Sequence, residues 1–422
     1  MNIAIIGCKN LDKKIVNILI NDNKITSISY NDIMPEILEH YQIINAFGLY
    51  VSEALIDMHC HLREPGFTDK EDVKSGTLAA VNGGYGTIVA MGNTKPAVDT
   101  VEHYKNTVDI IKKNAKNTVI QVATATINMQ GKELTDFVGL KNAGAKVISD
   151  DGMPISNGQI AKNAMELAKE NDMLIISHCE DLDFAKGAVN ETIAKTLNVE
   201  GVSPLSEVLG AARDIMIAIN YNLRVHIAHV SSYETVELIR MAKKIGANVT
   251  AETCPHYFSL TEQEVLAKGT NAKMNPPLKS EKDRKAIIEA LRDGTLDAIS
   301  TDHAPHTKQE KEKSLSDSPN GIIGFETAFA VAITELYKKQ KFSLSQVINK
   351  FTKNPAKILD LKNKDLKEGN IADLIIFDVK DEFPIDINKS QSKSRNSPFD
   401  GYKAYGRIKY TIIKGELYEN IN

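Results

Sequence analysis

Between residues 54 and 302 the chain alternates, eight times over and without an internal sequence repeat, between a short β-branched run that ends in a polar cluster and a stretch of helical periodicity. The runs are Ala54–His61, Gly86–Asn93, Thr118–Thr126, Ala145–Asp151, Met173–His178, Arg224–His229, Asn248–Cys254 and Leu296–Asp302. Between them lie stretches with apolar residues at helical spacing, among them Val101–Ala115, Ile160–Lys169, Pro204–Ile219, Glu234–Ile245 and Lys282–Leu291. Strands that alternate with helices form a parallel α/β sheet, because a parallel pair needs a long crossover. Eight such strands are the number that closes a barrel.

The two ends of the chain have a different texture. Ile15–Ile20 and Ile25–Tyr30 flank the polar turn Asn21-Asp22-Asn23-Lys24, which predicts a hairpin. After the helical stretches Phe325–Lys338 and Leu344–Leu361 the pattern returns to strands at Ala372–Phe377 and Arg407–Ile413, with a turn at Lys414-Gly415. The segment Asn388–Arg395, rich in Ser, Lys and Asn, reads as a loop. At 422 residues the chain has room for a barrel and an accessory unit, and two strand-rich ends can pair into one small β domain. The expected division is 1–53 and 363–422 for that domain and 54–362 for the barrel.

Charge and cysteine usage narrow the partners. A net charge of −4, with 25% charged residues, leaves no electrostatic footprint for nucleic acid or an anionic membrane. The opening run Met1–Gly7 is too short for a signal peptide and has no basic leader, and no segment approaches about 18 uncharged apolar residues. A cytoplasmic location is the expectation. Cys8, Cys60, Cys179 and Cys254 are scattered without a Cys-x-x-Cys pair, so neither a disulfide framework nor a thiolate metal cluster is indicated.

What lies at the C-terminal ends of the runs is informative, because barrel enzymes place their chemistry there. The first ends in His59 and His61, the fourth in Asp150-Asp151-Gly152, the fifth in His178, the sixth in His229 and the eighth in Asp302. In an extended strand His59 and His61 share a face while Cys60 points away. Taken singly, each has an ordinary alternative: an exposed His pair, hydrogen-bonded core histidines at 178 and 229, a turn aspartate at 151, a helix cap at 302. Together, six metal-type ligands at equivalent rim positions are improbable by accident. Imidazole and carboxylate without thiolate suit Zn²⁺ or another borderline divalent ion. Four His and two Asp exceed one tetrahedral ion, and a two-metal site with a bridging carboxylate fits them better.

The motifs Asp57-Met58-His59-Cys60-His61-Leu62-Arg63-Glu64-Pro65-Gly66, Met91-Gly92-Asn93-Thr94, Ser149-Asp150-Asp151-Gly152, Ser177-His178-Cys179-Glu180, His226-Ile227-Ala228-His229-Val230-Ser231, Asn275-Pro276-Pro277-Leu278 and Thr301-Asp302-His303-Ala304-Pro305-His306 together resemble the amidohydrolase superfamily, and within it the class I dihydroorotases, over essentially the whole chain. The resemblance implies a distorted (β/α)8 TIM barrel with a small β-sandwich composed of both terminal segments. It implies that His59, His61 and Asp302 hold the more buried Zn²⁺, that His178 and His229 hold the second, and that Asp151 bridges them, with two ions fitting better than one. Related hydantoinases carry a carboxylated lysine at the bridging position. Asp150 is adjacent, but strand alternation lets only one of the two face the ions.

By the same resemblance Arg63, Asn93 and His306 take the carboxylate of dihydroorotate, and Asn275, Asn320 and Gly321 take the ring's amide edges. Asp302 is the expected proton shuttle in the reversible exchange with N-carbamoyl-L-aspartate, a step of pyrimidine biosynthesis. A homo-oligomer and a complex with aspartate transcarbamoylase are expected partners. Departures from the family pattern are Glu53-Ala54 in place of a Pro-Gly, Cys60 where a small aliphatic is commoner, and Asn320 where an aromatic usually precedes the glycine. The competing readings are an allantoinase or hydantoinase, and a catalytically silent partner of the transcarbamoylase; the six intact ligands weigh against the latter.

Overall fold

A computed structural model describes residues 2–420. It begins with β1 (Ile3–Lys9), β2 (Ile15–Asn21) and β3 (Lys24–Ser29), paired antiparallel in sequence, and the β2–β3 connection is the expected hairpin. Asp22 in its turn takes φ +55°, a conformation that a short polar side chain tolerates. β4 (Gln42–Asn45) and β5 (Tyr50–Glu53) lie parallel to β1.

The barrel strands follow. They are β6 (Leu55–Cys60), β7 (Tyr85–Ala90), β8 (Thr118–Gln121), β9 (Val147–Ile148) and β10 (Leu174–Ser177), then, after a small pair β11 (Val189–Asn190) and β12 (Gly201–Val202), β13 (Val225–Ile227), β14 (Val249–Thr253) and β15 (Ala298–Ile299). β6, β7 and β8 make one parallel run, and β9, β10, β13, β14 and β15 make another. Two parallel bridges join their ends, Ala123 to Ile148 and Cys60 to His303. The ring therefore closes, with the eight parallel strands that the alternation predicts. Helices such as Val101–Asn114, Gly158–Glu170, Leu205–Tyr221, Tyr233–Lys244 and Glu281–Asp293 stand where the periodicity places them. Thr100, Asn157, Ser232 and Ser280 cap four of them by accepting backbone N–H bonds.

Two differences from expectation have a physical origin. The hydrogen-bonded strands stop short of the predicted runs: the fourth is only Val147–Ile148 and the third ends at Gln121. Past the strand ends the backbone turns so that polar side chains meet one another; beyond β6, β13 and β15, Arg63, His229 and Asp302 adopt φ of +63°, +33° and +46°. The helix expected over Leu344–Leu361 is two, Leu344–Asn349 and Lys353–Ile358. Pro355 lacks a backbone N–H and is accommodated only in the first turn of the second helix, so the chain breaks at Thr352 (φ −127°, ψ −84°).

After the barrel come β16 (Leu374–Asp378), the small pair β17 (Phe383–Pro384) and β18 (Lys403–Ala404), β19 (Arg407–Ile413) and β20 (Glu416–Glu419). β16 pairs antiparallel with β5, which joins both ends of the chain in one sheet ordered β20-β19-β16-β5-β1-β2-β3, with β4 beside β1. Its apolar cluster, including Ile3, Ile5, Ile18, Ile20, Val51, Leu374, Ile376 and Ile412, is separate from the barrel core. The segment expected as a loop at Asn388–Arg395 has a short turn at Ile387–Lys389 and then runs on without regular structure. Its burial alternates: Ser390, Ser392, Ser394 and the following Asn396 point inward, and Lys393 and Arg395 point out. No helix among the described residues is long and apolar enough to cross a membrane.

Candidate active site

His59 is the next-to-last residue of β6 and has no solvent exposure, and His61 follows on the same face. Their Nε2 atoms lie 3.1 and 3.4 Å from Asp151 Oδ2. Asp302, at the end of β15, sets Oδ1 at 3.1 Å from His61 Nε2 and 3.7 Å from His59 Nε2. From β10 and β13, His178 Nδ1 and His229 Nε2 approach Asp151 Oδ1 to 3.2 and 3.4 Å, and each other to 2.8 Å. Asp151 therefore touches all four imidazoles. Asp150 faces away, accepting the backbone N–H groups of Ala125 and Thr126 at 2.7 and 3.0 Å. Cys60 is turned to the wall, with Sγ 3.3 Å from the Val89 carbonyl.

Two triads of these ligand atoms each fall within 4.8 Å of one another, His59/His61/Asp302 and His59/Asp151/His229. Buried His59 Nε2, His178 Nε2 and His229 Nδ1 have no aligned hydrogen-bond partner, although the first is only 3.1 Å from a carboxylate. Of these, His59 Nε2 is the one set among the converging ligand atoms, beside Asp151 and Asp302, and a lone pair left bare there is what a divalent cation satisfies. The donor set fits such an ion. Electrostatics point the same way. Burial alone pushes the Asp151 carboxyl up, but the His59 charge and bonds from His178 and His229 outweigh it and hold the group well below the usual carboxylate range. Asp302 is likewise raised by burial and lowered more by His61 and His59, down to about 2.

Of two buried carboxylates behind the histidines, one fixes the His59 ring and the other its backbone. Glu252 Oε1 meets His59 Nδ1 at 3.2 Å, and its other oxygen meets His226 and Ser300. Asp57 accepts from Thr301 N and Oγ1 at 2.8 and 2.6 Å, which ties β6 to the strand carrying Asp302. A histidine whose far nitrogen is engaged by a carboxylate presents the near one to a ligand. Neither carboxylate was among the sequence candidates. Glu252 had a signal: it is the one charged residue in the run Val249–Thr253.

Opposite the histidines, Arg63, Asn93, Asn275, His306, Asn320 and Gly321 line the same cavity of about 200 Å³, together with His61, Asp151, His178, His229 and Asp302. His59 lies beneath its floor. Asn93 Oδ1 is engaged by His61 Nδ1 at 2.9 Å, so this residue expected at the substrate carboxylate also orients a histidine. Arg63 Nε donates to the Pro305 carbonyl at 3.2 Å, and its Nη2 is 3.3 Å from His306 Nε2. That imidazole nitrogen is closer, at 2.8 Å, to the Asn320 carbonyl, to which it donates. Burial and the Arg63 charge push the His306 imidazolium down to about 3, so its ring is neutral, whereas Arg63, lowered by burial to about 10, keeps its charge. Asn275 Nδ2 donates to Glu180 Oε1 at 3.1 Å.

A rim of strand-end histidines and aspartates on a closed parallel barrel defines a metal-dependent hydrolase fold, and the model of the amidohydrolase family matches residues 50–418. The chain belongs to the amidohydrolase family and, within it, to the dihydroorotases. A dihydroorotase of Clostridioides difficile is 42% identical over 421 residues, 99% of either chain. That of Ruminiclostridium cellulolyticum is 44% identical over 376 residues, 89% of this chain and 88% of its own. Among solved structures, the L-hydantoinase of Arthrobacter aurescens superposes with a TM-score of 0.86 at 22% identity, covering 99% of this chain and 95% of its own. The dihydropyrimidinase of Brevibacillus agri gives 0.85 at 22%, with the same coverage. These two describe the fold.

Proposed function

We propose that the chain interconverts N-carbamoyl-L-aspartate and dihydroorotate, with Zn²⁺ at the histidine cluster and two ions per subunit. The observation that carries this reading is that one small cavity has a wall of metal-type ligands facing a wall with a charged arginine. Divalent ions at His59, His61, His178, His229, Asp151 and Asp302 supply Lewis acidity, acidifying water and polarising a carbonyl. Arg63 binds the substrate carboxylate, its planar guanidinium matching two oxygens, with Asn93 and His306 beside it. Asn275 and the Asn320-Gly321 backbone take the ring's amide edges, and Glu180 fixes which way the Asn275 amide faces.

Asp302 is ionised at neutral pH and stands ready to accept a proton. In ring opening, water adds to the ring carbonyl and the carbon–nitrogen bond breaks. Asp302 takes the proton of the water and delivers it to the departing nitrogen. In ring closure the same carboxylate removes the proton of the carbamoyl nitrogen as that nitrogen attacks the side-chain carboxyl carbon, and water leaves.

Hydantoinases share the fold, and Asp151, standing where they carry a carboxylated lysine, opposes that reading. The decisive experiment follows carbamoyl-aspartate cyclisation alongside metal content, with allantoin and hydantoin as competing substrates. Turnover of dihydroorotate by metal-loaded protein supports the proposal; its absence, with turnover of a hydantoin, overturns it. The expected homo-oligomer and aspartate transcarbamoylase complex are tested by sizing the chain with and without that enzyme.

A further inference from the structure

We infer that Asn396 is a positioning residue for the substrate-carboxylate subsite, holding the loops of His306 and Gly321 in register from a segment far away in sequence. This rests on the dihydroorotase reading above. Asn396 is 3% exposed. Its Nδ2 donates to the Ala304 carbonyl and the Gly321 carbonyl, each at 3.0 Å. Its Oδ1 accepts the His306 backbone N–H at 3.2 Å, and its own carbonyl accepts the Ile323 N–H at 2.9 Å. One side chain thus spans the loop that leaves β15 and the loop that returns to the cavity.

The chemistry of this clamp is demanding. It needs two donors at one end and an acceptor at the other on a two-carbon stem, and asparagine alone supplies them. Aspartate has no donor, serine lacks the reach, and glutamine is one methylene too long. The two carbonyls at one end also decide which end is the NH₂. The loops it joins pack tightly: a Cβ at Gly321, where φ is +123°, would meet the Ala304 Cβ at 2.6 Å.

What Asn396 registers is the set of groups assigned to the substrate's acidic end. His306 donates to the Asn320 carbonyl across the joined loops, and Arg63 leans on Pro305 in the first of them. A shift between the loops moves both cationic and neutral donors relative to the ions' wall. The segment that carries Asn396 is itself tied to the third loop of the rim. Ser392 Oγ and Lys393 N reach Glu71, Ser394 Oγ donates to the Lys70 carbonyl at 2.9 Å, and Lys393 Nζ donates to the Thr68 carbonyl at 2.8 Å. Residues 392–396 therefore form a strap across all three loops. Period-two spacing, Ser390-x-Ser392-x-Ser394-x-Asn396, puts the small polar side chains inward and the basic ones outward.

The test uses the metal-loaded full chain with Asn396→Leu, which keeps shape and charge state while removing both polar atoms and with them all three side-chain hydrogen bonds. Asn396→Ser, with one donor left, makes the same measurement should the leucine variant not fold. Expected are a KM for dihydroorotate raised about 10-fold or more with kcat within about threefold, the split that marks lost ground-state positioning. Backbone hydrogen exchange is expected to quicken in peptides covering 303–308 and 320–324, and the serine variant to lie between leucine and wild type. A residue that merely holds the fold would lower thermal stability and leave KM of the folded fraction alone; that result overturns the inference. So does unchanged exchange in both loops, or a loss confined to kcat. Wild-type protein without dihydroorotase activity would instead refute the functional reading.

Discussion

The floor and the rim of the cavity are built on opposite plans. On the floor, side chains meet one another directly: His59, His61, Asp151, His178, His229 and Asp302 bring their own nitrogens and oxygens within about 3–4 Å of one another, with Glu252 and Asp57 behind them. On the rim, polar side chains meet backbone instead: Arg63 donates to the Pro305 carbonyl and His306 to the Asn320 carbonyl, and the side chains of Asn396, Lys311 and Lys273 hold that backbone still. Lys311 Nζ donates to the Gly321 carbonyl at 3.1 Å, and Lys273 Nζ donates to the Ser318 carbonyl at 2.6 Å. A floor depends on residue identity at a few positions; a rim depends on spacing. Changes to the floor should therefore appear in kcat and metal content, and changes to the rim in KM.

The sharpest break of that division is Asp302→Asn. It keeps an oxygen for the ion and loses the proton acceptor, so kcat should fall about 10³-fold or more while much of the metal stays, measured by steady-state kinetics beside elemental analysis. Wild-type-like turnover would remove Asp302 from the chemistry. Next in size is Lys279→Met, in a buried ion pair that braces the backbone just beyond His229. Lys279 Nζ is 2.9 Å from Glu207 Oε2, and Glu207 Oε1 accepts Ser231 N–H at 3.0 Å, two residues beyond His229. The variant leaves a buried carboxylate uncompensated, and denaturant unfolding should show a loss of about 3–5 kcal/mol.

Arg63→Lys tests the rim alone. A lysine keeps the charge but not the planar fork, so KM should rise about 10- to 100-fold with kcat nearly kept. Loss of kcat with KM intact would move Arg63 to the floor. The smallest effect is in pH. Burial raises the Glu207 carboxyl and Lys279 with the Ser231 bonds lowers it more, from 4.5 down to about 2. Its stabilisation is thus fully present above the unfolded value and lost as the pH falls toward about 2. Unfolding midpoints followed on acidification should slope less steeply in Glu207→Gln than in wild type.

The floor was legible in the sequence because its residues sit at the ends of five of the eight strand runs, where polar side chains interrupt β-branched runs. The eight-strand count survived for the same reason. Strand lengths did not, since Arg63, His229 and Asp302 leave the extended region in order to aim their side chains, and periodicity carries no signal for such turns. The rim was harder to see. Asn396 acts through three carbonyl and amide groups whose partners lie up to 92 positions away, and serine-rich composition reads as a loop whether the serines face water or protein. Glu207 and Lys279 likewise become a pair only once the helix Leu205–Tyr221 and the Asn275–Lys279 segment are neighbours in space. Asn320, which departs from the usual aromatic, contributes its carbonyl to His306, an interaction indifferent to side-chain identity.

The seam between β5 and β16 has a consequence in time. Glu53 pairs with Leu374, roughly 320 residues further along. A ribosome adding about 5–20 residues per second presents Tyr50–Glu53 on the order of tens of seconds before its partner strand exists. During synthesis the barrel's ribs can assemble in order while this strand waits with an open edge. Nascent chains halted before residue 374 should expose that edge to added β-peptides, and release of the full chain should close it.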